Sequence, residues 1–342
     1  FMFLRWDDKV LDGIVYFITF ITVFGVYLFL VISVSGGFDE VVKAHSVLRP
    51  GDFRYSRVGE NILPSGYTGS HHDTANILVM CGIFMLAKFF TCDDFLKKIL
   101  FLGFYLVVLS AGIVTGSAAN MVVLSLMSII TLMFSITKSK TAILTVCSSL
   151  FVFFLVIFQV VASTDSSEIM KFTYVLQKLD PDTIPEEIWA GLDFDSLKKS
   201  ITSVFFGFGE ALESPMILAE VGFVSLLSRL GLFPFCILMF IGFSPIYYFI
   251  VFRLNRIRFI ELRLKDMPKK VTANFVRDFA IQNFRLLMLA MPAVAGIMTL
   301  IHYGSLFRVT SIGLFCVLLS IFLKEYLRAY RVFQNCLDEK DL

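Results

Sequence analysis

The chain has 342 residues, of which 57% are hydrophobic and 39 are phenylalanine, and its mean hydropathy is +0.80. A soluble domain of this length could not bury so much apolar surface, so the composition excludes soluble enzymes and indicates an integral membrane protein. The apolar runs are continuous and show no alternation with period two, which predicts spanning helices rather than a barrel. The formal net charge of +2 gives no reason to expect a nucleic-acid partner, and we expect none.

Eight apolar runs, each roughly as long as a bilayer core requires, predict an all-α polytopic bundle with about eight spans. The predicted spans are 11–34, 74–90, 99–115, a run ending near 136, 141–162, 231–252, 286–303 and 309–323. The chain begins with Phe1 rather than methionine. Further helices before Phe1 are therefore compatible with the sequence.

The polar segments divide the bundle into parts. The predicted parts are a first half of the bundle (1–162) with a loop at 35–73, a cap (163–229), and a second half (230–342) with a basic loop at 253–284. The cap is acidic, yet its apolar residues Ile169, Phe172, Leu176 and Leu179 have helical spacing. We therefore expect a folded helical cap on the bundle.

Lysine and arginine in the loops predict the orientation, because cytoplasmic loops are enriched in them. The basic loop carries eight: Arg253, Arg256, Arg258, Arg263, Lys265, Lys269, Lys270 and Arg277. We expect this loop to be cytoplasmic and to meet anionic lipid headgroups. Both termini are then inside, and the loop 35–73 and the cap are outside.

The first outside loop departs from this charge rule and ends in a dense polar string. Arg54 and Arg57 have the planar guanidinium fork that suits a pyrophosphate. His71, His72 and Asp73 follow where the second span is predicted to start. Asp73 is a candidate for chemistry, but it or the next residue could equally be the N-cap of that helix. No Glu or Cys lies at ligand spacing from the histidine pair, so we predict no metal site.

Two other places carry candidate residues. Glu220 and Arg229 bracket an apolar stretch that enters the sixth span, and ionisable residues at membrane depth are functional candidates. Interfacial snorkelling of Arg229 is the structural alternative. Ser117 lies in a small-residue turn at the start of the fourth span, where a helix N-terminus attracts phosphate.

These strings together resemble one family. Their order is Gly66, Gly69, Asp73 and Asn76, then Val114-Thr115-Gly116-Ser117, Gly207-Phe-Gly209, Glu220-Val-Gly222-Phe and Arg229-Leu-Gly231-Leu. Between about residues 50 and 250 the chain resembles the O-antigen polymerase (Wzy) family, within the O-antigen polymerase and ligase superfamily. Ala118 stands where many members have arginine, and the outside loops lack the Arg-x10-Gly pattern that some polymerases carry there. Ligases of the superfamily resemble one another in having a key histidine in this segment. The cap contains no histidine, so the resemblance favours polymerase over ligase.

The resemblance implies a GT-C-like bundle in the bacterial inner membrane with a periplasmic active site. A glycan on undecaprenyl pyrophosphate would be transferred to a lipid-linked repeat unit, with no cofactor. Arg54, Arg57, Arg229 and Ser117 would bind the pyrophosphate. Three residues would have catalytic roles. Glu220 is the first candidate for the general base and His72 is the second, and Asp73 is a further catalytic candidate. Membrane lipids and a chain-length-determinant protein are the other expected partners.

Three other functions remain open from the sequence. An O-antigen ligase would attach finished glycan to lipid A core. A transporter of lipid-linked oligosaccharide would have charges and broken helices at mid-membrane, often in repeated halves, and no such repeat is seen. A structural partner in an envelope complex is disfavoured by the arginines of the first outside loop.

Overall fold

The computed structural model describes residues 6–48, 57–58, 61–62, 68, 71–135, 140–163, 230–263, 269–299 and 309–338. This part of the chain contains eight helices and one small antiparallel ribbon. The elements are α1 (Asp8–Leu48), β1 (Arg57–Val58), β2 (Asn61–Ile62), α2 (His71–Thr91), α3 (Phe95–Val114), α4 (Ala118–Ser135), α5 (Lys140–Ser163), α6 (Leu232–Arg263), α7 (Lys269–Met298) and α8 (Val309–Asp338). In the ribbon, Arg57 pairs with Ile62 and Val58 with Asn61.

Five helical segments in the described residues are long and apolar enough to cross a membrane. They are Asp8–Ile32, His71–Thr91, Phe95–Val114, Leu232–Arg258 and Val276–Met298. Two shorter apolar helices, Asn120–Ser135 and Ile143–Val152, accompany them. The chain is therefore a multi-pass helical membrane protein, which confirms the predicted class.

The bundle is organised around α2. In the most apolar 18-residue window of α2, 83% of the residues are buried, whereas in the corresponding window of α1 only 33% are. Helix α2 packs against α1, α3, α4 and α7. Glycines allow close approach, as is common between membrane helices. A Cβ added at Gly82 would lie 3.1 Å from Leu124 Cδ1, and one added at Gly296 would lie 2.8 Å from Met80 Sδ. The middle of α2 is therefore packed closely against its neighbours.

The helices are longer than the predicted spans. Helix α1 continues to Leu48, so the predicted loop 35–73 begins with helix, and α6 and α7 turn most of the predicted basic loop 253–284 into helix. The 32 residues of α6 span about 48 Å, more than the roughly 30 Å of a hydrocarbon core. Charged residues end the apolar run but leave the backbone hydrogen bonds of a helix intact, so the segments predicted as loops are partly helical; their place outside the membrane stays a prediction.

Arg256 shows the consequence for one member of the basic loop. Its side chain is 1% exposed and lies among α6, α7 and α8. The guanidinium carbon lies 3.7 Å from the ring centre of Phe252 and 3.8 Å from that of Phe279, and Nη2 donates to Gln282 Oε1 at 2.6 Å. The expectation that this arginine meets lipid headgroups is therefore wrong, whereas Arg253 is exposed.

Ion pairs join α1, α2, α7 and α8 at the end of the bundle where α1 begins. Lys88 Nζ lies 2.5 Å from Asp12, and Lys324 Nζ lies 2.7 Å from Asp8. Arg285 Nε lies 3.0 Å from Glu325. A cavity of about 70 Å³ lies among these groups. We call this the basic end of the bundle; along α2, Lys88 lies about 24 Å from His72.

The predicted cap lies outside the described residues, since α5 ends at Ser163 and the description resumes at residue 230. Its folding as a helical cap stays a prediction.

Candidate functional site

The end of α2 opposite the basic end carries the histidine pair. Helix α2 begins at His71, so Asp73 is the third helical residue, with its side chain fully buried. The N-cap interpretation of Asp73 and of Thr74 is therefore wrong, because both lie inside the helix. A carboxylate in the first turn still complements the positive end of the helix dipole.

The turn between α3 and α4 lies beside this end. Thr115 is the C-cap of α3, and its hydroxyl donates to Gly112 O at 2.6 Å. Gly116 follows with φ 69°, a left-handed conformation that only glycine adopts without strain. Ser117 then directly precedes α4, and its carbonyl accepts from the N–H of Met121 at 3.0 Å. The N-termini of α2 and α4 consequently meet at one place.

Hydrogen bonds join the two helix starts. The Nδ2 of Asn120 donates to the backbone carbonyl of His72 at 3.4 Å and to Ser117 Oγ at 3.0 Å. Ser117 Oγ also lies 3.4 Å from His72 Nδ1. The structure therefore brings His72 and Ser117 together, and it adds Asn120, which the sequence analysis had not marked as a site residue.

The cluster is almost entirely enclosed. The side chains of eight polar residues are no more than 6% exposed: Thr68, His71, Asp73, Thr74, Asn76, Thr115, Ser117 and Asn120. Thr68 and Thr74 share a hydrogen bond of 2.7 Å. The His72 ring lies 3.7 Å from the His71 ring, centre to centre, and is half-buried. Polar groups are costly inside a membrane bundle, so this concentration marks the functional candidate of the described part.

His72 is partly exposed, whereas the eight polar residues around it are enclosed. The buried hydroxyls and amides hold it in place, and the two helix N-termini favour negative charge nearby. The arrangement is suited to contacting an anionic or hydroxyl-bearing substrate at the membrane surface. Among the described residues, no group of three or more His, Cys, Asp or Glu could hold a metal ion.

Of the other predicted site residues, Arg57 lies in the described part of the chain. Arg57 lies in β1, and β2 packs against α1. Arg54, Glu220 and Arg229 lie outside the described residues. The convergence of the arginines on a pyrophosphate therefore stays a prediction.

Comparison with known proteins gave no match to any family model, curated protein or solved structure.

Proposed function

We propose that this protein is a glycosyltransferase of the O-antigen polymerase type, which extends a glycan on undecaprenyl pyrophosphate by a lipid-linked repeat unit. The observation that carries the proposal is the buried polar cluster at the start of α2, the helix around which the bundle is organised. A half-buried histidine at the membrane surface, beside two helix N-termini, suits a substrate with an apolar lipid and an anionic diphosphate.

The proposed orientation follows from charge. Asp8 near the start of α1 and Lys324 in α8 meet at the basic end, together with Lys88 and Arg285. Because Lys and Arg are enriched on the cytoplasmic side of membrane proteins, we assign this end to the cytoplasm. Both termini of the chain are then cytoplasmic, and the cluster around His72 faces the periplasm of a bacterial inner membrane. The segment 163–229 would form the cap of a GT-C-like fold over it.

The proposed chemistry transfers one glycosyl group. The acceptor hydroxyl oxygen forms a bond to the anomeric carbon of the donor glycan while the bond from that carbon to the diphosphate oxygen breaks. The acceptor proton passes to a base, for which Glu220 is the first candidate, and undecaprenyl diphosphate leaves. Arg54, Arg57 and Arg229 would stabilise its charge.

Deletion of the gene in its natural host tests this function. We expect the ladder of long surface glycans to vanish from gels while the single-repeat product remains. Loss of all glycan from lipid A core would indicate a ligase instead, and repeat units trapped on the cytoplasmic face would indicate a transporter. Either result would overturn the proposal.

Point variants expressed in the deletion strain connect the function to the site. His72→Ala, Arg57→Ala and Glu220→Gln should each fail to restore the ladder. Arg253→Ala, at an exposed position on α6, is the control and should restore it. Normal ladders from all three site variants would remove the site from the proposal.

A further inference from the structure

The ion pairs at the basic end contain more positive than negative charge. In the described part of the chain, the cations Lys88, Arg285, Lys324 and Arg328 meet the carboxylates Asp8, Asp12 and Glu325. Arg285 Nε lies 3.0 Å from Glu325 Oε1, and Arg328 Nη1 lies 3.6 Å from Glu325 Oε2. Arg328 also pairs with Asp8. If each lysine neutralises its own carboxylate, the two arginines and Glu325 have a surplus of one positive charge.

The two guanidinium groups are the accessible part of this network. The side chains of Arg285 and Arg328 are 53% and 52% exposed, whereas that of Glu325 is only 17% exposed. A guanidinium has more N–H donors than its share of one carboxylate can accept. Its planar fork also matches a phosphate group, of which it can bind two oxygens at once. The exposed side of the basic end is therefore suited to a phosphate group.

The cavity at the basic end has room for a polar group beside these arginines. Arg285 and Arg328 both line it, and its volume is about 70 Å³. A single water needs roughly 10–15 Å³ of such space. The charged residues form only part of the wall, because Leu289 and Ile321 also line the cavity.

The apolar part of the wall lies deeper in the bundle. A Cβ added at Gly296 of α7 would lie 2.8 Å from Met80 in the middle of α2, so α7 runs from the basic end into the bundle. Leu289 therefore lies one turn deeper than Arg285. Helix α8 runs the opposite way, and Ile321 lies one turn before the glutamate of the ion pairs. A charged outer wall above an apolar inner wall matches the order of groups in a lipid at the membrane surface.

Aromatic residues place the basic end at the level of the lipid headgroups. Lys324 Nζ donates to the backbone carbonyl of Trp6, just before α1. Tyr326 and Tyr330 stack on each other with 6.1 Å between ring centres, and they flank Arg328 in the sequence. Tryptophan and tyrosine are enriched where a membrane meets water. The phosphate groups of the bilayer lie at the same depth, which favours a lipid over a soluble anion as the ligand.

We propose that the basic end binds the phosphate group of an anionic lipid, with Arg285 and Arg328 as its ligands. In the orientation proposed above, this lipid belongs to the cytoplasmic leaflet, where anionic lipids give the membrane a negative surface potential. Measured along α2 from Lys88, the site lies about 24 Å from His72. It is therefore separate from the candidate site at the start of α2, and its test requires no glycosyl transfer.

Trp6 provides a reporter for this site. The chain has two tryptophans, and Trp189→Phe leaves Trp6 as the only one. The full chain with this substitution would be placed in phosphatidylcholine vesicles that contain a small fraction of phosphatidylglycerol with bromine near the headgroup end of its acyl chains, because bromine quenches a nearby indole. Matched vesicles carry the bromine on phosphatidylcholine instead. We expect stronger quenching by the brominated phosphatidylglycerol, and equal quenching by the two lipids would overturn the proposal.

Substitutions in the same background test the ligands. Arg285→Gln and Arg328→Gln should each lower the preference for phosphatidylglycerol about fivefold, the usual contribution of one cation near an anionic membrane surface. Glu325→Gln removes the shared carboxylate and should raise the preference. Arg253→Gln, exposed on α6, is the control and should leave it unchanged. Ion pairs that only hold the helices together predict no change of preference in any of these variants, and that result would refute the ligand assignment.

A competition experiment separates a lipid phosphate from a soluble one. Inorganic phosphate should reduce the preference no more than sodium chloride of the same ionic strength, since both salts screen the charges equally. A larger reduction by phosphate would assign the cavity to a soluble anion and overturn the lipid assignment. Because the arginines and Glu325 are changed separately and with opposite expected effects, the test stays decisive if one variant does not fold.

Discussion

Replacing Arg256 tests how α6, α7 and α8 are held together. This buried side chain connects three helices: it stacks on Phe252 of α6 and Phe279 of α7, and Nη2 also donates to Ala329 O of α8 at 3.3 Å. Its hydrogen bond to Gln282 Oε1 is short, at 2.6 Å. The substitution Arg256→Ala removes all of these contacts at once.

The expected loss can be worked out from the contacts. The charge-assisted hydrogen bond to Gln282 contributes about 2 kcal/mol, and desolvated stacking on aromatic faces contributes about 2 kcal/mol. Removing a buried cation recovers part of its desolvation cost, so we expect a net loss of about 3 kcal/mol. At about 2–4 °C for each kcal/mol, the unfolding temperature should fall by about 6–12 °C.

Stepwise heating of the detergent-purified protein, followed by gel filtration of what stays monodisperse, measures this change. Arg253→Ala is the control, one turn earlier on the same helix and exposed, and it should stay within about 0.5 kcal/mol of the wild type. Arg256→Lys keeps the charge but not the planar group that stacks, so it should recover little. An unchanged Arg256→Ala, or full recovery by lysine, would refute this reasoning.

Two further predictions concern packing inside the bundle. Asp12→Lys replaces the half-buried ion pair with Lys88 by two neighbouring cations. The same heating assay should show a loss of stability of about 1–3 kcal/mol or more. Adding Lys88→Asp should restore the stability, and failure to restore it would contradict the pairing. Gly242→Ala places a Cβ against Ile297 Cδ1 and Cγ1 and should cost about 1–3 kcal/mol through overpacking. Ile297→Ala should then cost less in that background than alone, and additive losses would contradict the contact.

The sequence was sufficient to predict where several of the long apolar helices lie. The predicted span 141–162 matches α5 (Lys140–Ser163), and the predicted span 99–115 lies almost entirely within α3. Hydropathy predicts these segments well because the bilayer requires long apolar helices. It does not predict where a helix ends, since α1, α6 and α8 all continue into charged sequence where the helical hydrogen bonds persist.

The contacts that define the candidate site could not be predicted in the same way. His72 was a candidate because two histidines stand at the start of a span, but its partner Asn120 is 48 residues further along the chain. Nothing local in the sequence pairs them, because the pairing depends on how α4 packs on α2. The burial of Arg256 could not be predicted for the same reason. Its partner Ala329 is 73 residues away, so nothing in the sequence distinguishes this arginine from the exposed cations near it.

Glycan extension by the purified protein is the most direct measure of the proposed function. The protein would be placed in liposomes with undecaprenyl diphosphate-linked repeat units as the only substrate. We predict longer lipid-linked glycans and an equal molar amount of free undecaprenyl diphosphate, both lost in His72→Ala. Folded protein that leaves the repeat units unextended, or extension that His72→Ala leaves unchanged, would contradict the assignment of glycosyl transfer to the cluster at the start of α2.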